Sequence, residues 1–103
     1  MAKKKHPLRE AARGKPCLVR TYSGKVHNHD PATVVLHHCR SKTLFGIGMG
    51  QKPNDIFGAR ACAICHDIIH HPNEHEMDPV QVQIDEYEGI LRTQNELIKE
   101  GLI

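Results

Sequence analysis

Tryptophan is missing from these 103 residues, and phenylalanine and tyrosine occur only twice each. The side chains that fill a small core most efficiently are therefore scarce. A single domain of this length buries a modest share of its surface and gains from some other staple. No apolar run approaches the roughly 20 residues that span a bilayer. The start, Lys3-Lys4-Lys5-His6-Pro7, is basic and polar where a secretory leader would be apolar. These features predict a cytoplasmic domain with no membrane partner, in which the four cysteines ligate metal or stay as free thiols. The glycine-rich stretch Leu44-Phe45-Gly46-Ile47-Gly48-Met49-Gly50-Gln51-Lys52-Pro53 is expected to be a loop. It lacks the Gly-Lys-Ser/Thr ending of a nucleotide loop, which excludes a nucleotide-triphosphate site.

What the chain has in quantity is histidine, nine residues in all, eight of them between His27 and His75. Imidazole is both a common metal ligand and a base that titrates near neutral pH. Charge is divided just as unevenly. Residues 1–52 hold eleven basic and two acidic side chains and residues 53–103 three and ten, so a formal net charge of +2 hides halves of +9 and −7. The basic half is the side to meet a polyanion. Its candidate phosphate contacts are Lys3, Lys4, Lys5, Arg13, Arg40, Lys42 and Lys52, with backbone amides of the glycine-rich loop beside them.

The most informative stretch is Ala61-Cys62-Ala63-Ile64-Cys65-His66-Asp67-Ile68-Ile69-His70-His71. Two cysteines three apart can turn to one tetrahedral metal, and His66 and His70, four apart on a helix, project from one face. Upstream, a turn at Ser23-Gly24-Lys25 would bring Cys17 to His27. Cys17, His27, Cys62 and Cys65 then form a closed Cys3His zinc site of the structural kind, with His29 able to replace His27 and Cys39 able to join the set.

The coarse order of elements is readable. A helical turn or two over Leu8-Arg9-Glu10-Ala11-Ala12-Arg13 is stopped by Gly14 and Pro16. Leu18-Val19-Arg20-Thr21-Tyr22 alternates like a short strand, and Thr33-Val34-Val35-Leu36-His37-His38-Cys39 is a β-branched strand ending in paired histidines. Asn54-Asp55-Ile56-Phe57-Gly58-Ala59-Arg60 leads into a helix over 63–71, which Pro72 ends, and 73–79 reads as an acidic linker. From Val80 to Gly101 a second helix carries Tyr87, Ile90, Leu91, Leu97 and Ile98 as one stripe, expected to be core or a homodimer contact.

Taken in order, His37-His38, Asn54-Asp55 and Cys62-x-x-Cys65-His66-x-x-x-His70 resemble the HNH (His-Me finger) endonucleases. Closer still, Ala11-Ala12-Arg13-Gly14, Val35-Leu36-His37-His38, Lys52-Pro53-Asn54-Asp55-Ile56, the Cys-x-x-Cys block, Arg92-Thr93-Gln94 and Lys99-Glu100-Gly101 resemble the small prophage-encoded nucleases of the YbcO type over residues 8–103. The resemblance implies an α+β fold: a zinc-stapled ββα-metal domain over 17–75, a basic arm over 1–16, and a linker and C-terminal helix over 76–103. It implies DNA, or RNA, as partner and phosphodiester hydrolysis as activity, with His38 as general base. Asn54 or Asp55 orients it, and His37, His66 and His70 hold Mg2+ or another divalent ion. The alternative is a non-catalytic zinc-stapled nucleic-acid-binding module, which has no need of the paired histidines.

Overall fold

The computed structural model describes residues 6–21, 29–46 and 53–103. Helix α1, Pro7–Ala12, has proline in its first turn, where the missing amide has no helical partner to lose. It ends ahead of Gly14, whose φ of 75° turns the chain away as expected. Residues 18–21 form no strand. Instead the amides of Leu18 and Val19 both donate to the Arg60 carbonyl at 2.8 and 3.3 Å, and Arg20 adopts a left-handed φ of 57° that breaks any extension. Tyr22, the turn at 23–25 and His27 lie outside the described residues.

A single 3-10 turn, Pro31–Thr33, delivers the chain to strand β1, Val35–His38. Asp30 caps that turn, its side chain accepting from Ala32 N at 3.0 Å. After a short helix α2, Lys42–Phe45, and a 3-10 turn Asp55–Phe57, strand β2, Gly58–Ala61, runs antiparallel to β1. The pairs are Val35 with Ala61, Leu36 with Arg60, His37 with Ala59 and His38 with Gly58. A Cβ on Gly58 would lie 2.6 Å from Leu36 Cγ, so the strands approach closely only because this residue has no side chain.

Helix α3, Ala63–His70, follows at once, and Pro72 opens a 3-10 turn to His75 where a linker was expected. Helix α4, Pro79–Lys99, is capped at both ends. Asp78 accepts from Val80 N at 3.0 Å, and at the far end Leu102 N donates to Leu97 O and Gly101 N to Ile98 O, with Gly101 at φ 72°. As core, the expected stripe on α4 holds at Ile90 and Leu97, which are buried, and is corrected at Leu91 and Ile98. Leu91 and Ile98 are 66% and 62% exposed, while the buried face is Val82, Glu86, Gly89, Ile90, Thr93 and Leu97.

That face lies across β2 and the 18–19 segment. Gly89 lets Val19 in, since a Cβ there would meet Val19 Cγ2 at 2.8 Å and Cα at 2.9 Å. Thr93 Oγ1 accepts from Arg60 N at 3.0 Å, and Arg92 donates to the Leu18 carbonyl at 3.0 Å. One core runs from Ala12 through Val34, Leu36, Ala61, Ile68 and Ile69 to Val82 and Ile90, with Phe45 and Tyr87 only at its border. The result is a small α+β domain: a two-stranded sheet packed against α3 and the long C-terminal helix. Among the described residues no helix is long and apolar enough to cross a membrane.

Candidate functional site

Four ligand atoms from three separate segments, those of Cys17, His29, Cys62 and Cys65, lie within 4.8 Å of one another. The docking of residues 18–19 onto Arg60 brings Cys17 beside the end of β2, and Cys62 and Cys65 follow as the cap and first turn of α3. His29 Nδ1 is 3.4 Å from Cys62 Sγ and 3.3 Å from Cys65 Sγ. Ligands at tetrahedral zinc distances stand roughly 3.3–3.8 Å apart, so the spacing and the donor set both fit that ion. The Thr21 hydroxyl donates to Cys65 Sγ at 3.0 Å, the outer contact such a thiolate needs. A hydrogen bond from Cys65 and backbone amides hold the Cys17 thiol down at about 4, whereas Cys65 itself is pushed up by the same contact and Cys62 by burial. The described fourth donor is thus His29, the alternative ligand; His27 lies outside the described residues. Cys39 is buried elsewhere, its thiol pushed up by burial, and is not one of the four.

A second cluster also draws on α3. His66 and His70 share a helix face, and His37 projects to them from β1, with ring centroids 5.2 Å (His37–His66), 5.4 Å (His37–His70) and 4.6 Å (His66–His70) apart. One ligand atom from each lies within 4.8 Å of the others. Burial first, and the neighbouring imidazoles after it, hold His66 and His70 below the usual imidazole range, so both offer lone pairs at neutral pH. Three nitrogen donors of this kind could hold a divalent ion. Behind them, His37 Nε2 is 2.5 Å from Glu86 Oε2, both side chains almost fully buried.

Consecutive strand residues point to opposite faces, and His38 accordingly leaves the cluster. Its Nε2 lies 2.7 Å from Asp55 Oδ1. Arg9 of α1 holds the same carboxylate, with Nε 3.1 Å from each oxygen. Burial works against the Asp55 charge, but the hydrogen bonds from His38 and Arg9 outweigh it and keep the carboxyl below its ordinary value. Asn54 is occupied differently: its side chain accepts from Ile56 N at 3.1 Å and caps the 55–57 turn. Of the two candidates for the middle position, Asp55 is the one that touches His38.

Among the basic candidates, Arg13 is exposed, and Arg40 is exposed with one guanidinium nitrogen donating to the Ile69 carbonyl at 3.0 Å. Lys3, Lys4, Lys5, Lys52 and the side chain of Lys42 lie outside what is described. Sequence reasoning missed Arg9, Thr21 and Glu86 as parts of these sites. Each acts through a partner 44 to 49 positions away, a relation that no local motif carries.

Residues 6–102 match the family described as Putative nuclease YbcO. The chain is 42% identical to the protein named Putative nuclease YbcO from Escherichia coli (strain K12) over 96 residues, 93% of this chain and 95% of that protein. It matches a protein of the same name from Enterobacteria phage 82 to the same extent. A solved structure described as that of a putative bacteriophage protein from Escherichia coli str. K-12 superposes with a TM-score of 0.71 at 37% identity, covering 92% of this chain and 100% of that one. The chain belongs to the YbcO nuclease family, which has phage-borne members.

Proposed function

We propose that this member of the family is a metal-dependent endonuclease of the HNH type, with a ββα-metal core, that hydrolyses phosphodiester bonds in DNA within the cytoplasm of a bacterial host. The observation that carries the reading is the end of β1. There His38, fixed by Asp55, and His37, fixed beside His66 and His70, are adjacent residues on the last two positions of a strand.

The residues divide the chemistry between them. With Nε2–H donated to Asp55, His38 keeps the Nδ1 lone pair free to take a proton from water. The oxygen of that water bonds to phosphorus as the bond to the leaving nucleotide oxygen breaks. Asp55 holds the imidazole in this tautomer and, being kept ionised by His38 and Arg9, stabilises it once protonated. His37, His66 and His70 would hold the divalent ion, which when bound supplies stabilisation of the charge that develops on the phosphate and leaving oxygen. The Cys17, His29, Cys62 and Cys65 set, as a zinc site, would tie the chain before β1 to the start of α3 and so keep strand end and helix face in register.

The basic half supports a polyanionic substrate, and counterion release then requires that affinity fall steeply with salt. The test is incubation of purified protein with plasmid, branched and single-stranded DNA, and with RNA, over a panel of divalent ions. Cleavage that stops on chelation is expected. Salt-dependent binding without cleavage under any condition would replace this reading with that of a zinc-stapled binding module.

A further inference from the structure

Glu86 sits in the middle of the buried face of α4, 3% exposed, where the helix otherwise presents Val82, Gly89, Ile90 and Thr93 to the core. A carboxylate is retained in such a place only if its oxygens are matched, because desolvating an unpaired charge is strongly unfavourable. Its Oε2 accepts from the backbone amide of Arg40 at 3.2 Å and lies 2.5 Å from His37 Nε2, which must be the donor if the carboxylate carries no proton. Both come from the end of β1 and the residues just beyond it, and neither belongs to the helix that carries the glutamate. The Arg40 amide fixes the carboxylate, and the carboxylate in turn fixes the ring.

The consequence lies at the other nitrogen of His37. An imidazole that donates Nε2–H to a carboxylate has its lone pair on Nδ1. The His37 ring meets those of His66 and His70 in edge-on geometry, with interplanar angles of 76° and 84°. We infer that Glu86 is a positioning residue for the three-histidine metal site: it sets the tautomer and plane of His37 so that Nδ1 is presented to the ion held with His66 and His70. The arrangement is carboxylate, histidine, metal, in which the outer carboxylate also makes the ligand nitrogen more basic. This rests on the reading of His37, His66 and His70 as ligands. It adds that the C-terminal helix, outside the strand and helix that carry those ligands, supplies part of their geometry.

The alternative is that Glu86 merely pins α4 to β1, in which case its loss lowers stability and leaves metal affinity alone. The experiment is a Co2+ titration of full-length protein with zinc kept at the sulfur site, followed through the visible absorption of cobalt, for wild type, Glu86→Gln, His37→Ala and the double variant. Glutamine keeps the volume and one acceptor oxygen, so the fold is expected to persist. Glu86→Gln should weaken Co2+ binding by about 10–100-fold and alter the absorption bands, with no further weakening when added to His37→Ala. Unchanged affinity and spectrum in Glu86→Gln, or an equal loss in the His37→Ala background, would overturn the inference. No second cobalt site in the wild type would overturn the metal reading itself, and this inference with it. A second measurement needs no variant: long-range proton–nitrogen correlation on the metal-free three-histidine site should show His37 with its proton on Nε2, and a proton on Nδ1 instead would contradict the proposal.

Discussion

His38 Nε2 lies 2.7 Å from Asp55 Oδ1, and Arg9 Nε donates to both oxygens of the same carboxylate at 3.1 Å. If this pair keeps His38 in the proton-accepting tautomer, Asp55→Asn should reduce cleavage by about 10²-fold, the lower end of what a general base contributes. DNA affinity and zinc content should be unchanged. Single-turnover cleavage by the variant at the wild-type rate would remove Asp55 from the mechanism. Because its carboxyl is held low, the Asp55 charge contributes stability fully above the ordinary carboxylate range, and that contribution is lost as pH falls through its lowered folded value.

The sulfur site carries a prediction of stoichiometry. Elemental analysis should find one zinc per chain bound by Cys17, His29, Cys62 and Cys65, and Cys62→Ser or Cys65→Ser should lose both the ion and the cooperative unfolding transition, because structural zinc binding is folding free energy on the order of 10 kcal/mol. Strong chelation of the wild type should do the same. Protein purified without a tag that folds and contains no zinc would contradict this.

How far these sites were legible in the sequence depends on how local their signals are. The Cys-x-x-Cys and the helical pair His66 and His70 lie within nine residues, and helical spacing alone places them. Strand β2 was not legible. Gly58, Ala59 and Ala61 carry no β-branched or aromatic signal, and the strand exists because Leu36 needs the space over Gly58 and Arg60 is buried against α4. On α4 the buried face includes Glu86, Gly89 and Thr93, so counting apolar residues turned the helix toward Leu91 and Ile98. Glu86 belongs inside because of His37, Gly89 because of Val19, and Thr93 because of the Arg60 amide. The segment at 18–21 alternates as a strand would, yet its amides find the Arg60 carbonyl instead of a ladder.

Gly89→Ala tests that packing. Alanine in a helix interior should gain up to about 1 kcal/mol over glycine, but here its Cβ would press on the backbone of Val19 at 2.9 Å. Overpacking costs about 1–3 kcal/mol, so chemical denaturation should show a net loss of stability. A gain would mean that α4 does not approach the Val19 segment so closely.

Arg60 and Glu100 give a prediction in pH. The guanidinium of Arg60, buried in β2, donates to both Glu100 oxygens at 2.8 and 2.7 Å, and its Nε has no partner among the described residues. This bond is the main cause that holds the Glu100 carboxyl below its ordinary value. A depressed carboxyl contributes stability above its unfolded value of about 4.3 and loses it as pH falls through the folded value. Because Glu100 is exposed and the pair is screened by solvent, Glu100→Gln should cost only about 1 kcal/mol at pH 7, and the gap between variant and wild type should shrink as the pH is lowered through the carboxylate range. A gap that does not change with pH would show that the pair is not ionic in the folded state.

If His38 is the base that makes water a nucleophile, its loss should remove cleavage and little else. Wild type and His38→Ala, purified side by side, should be compared for cleavage of plasmid, branched and single-stranded DNA in Mg2+ and Mn2+, with zinc content and DNA affinity measured on the same samples. His38→Ala should keep its zinc and its DNA binding but cleave about 10²–10⁴-fold more slowly, whereas His66→Ala and His70→Ala should need more divalent ion to reach a given rate. Equal cleavage by wild type and His38→Ala, or no cleavage by the wild type on any of these substrates, would contradict that role for His38.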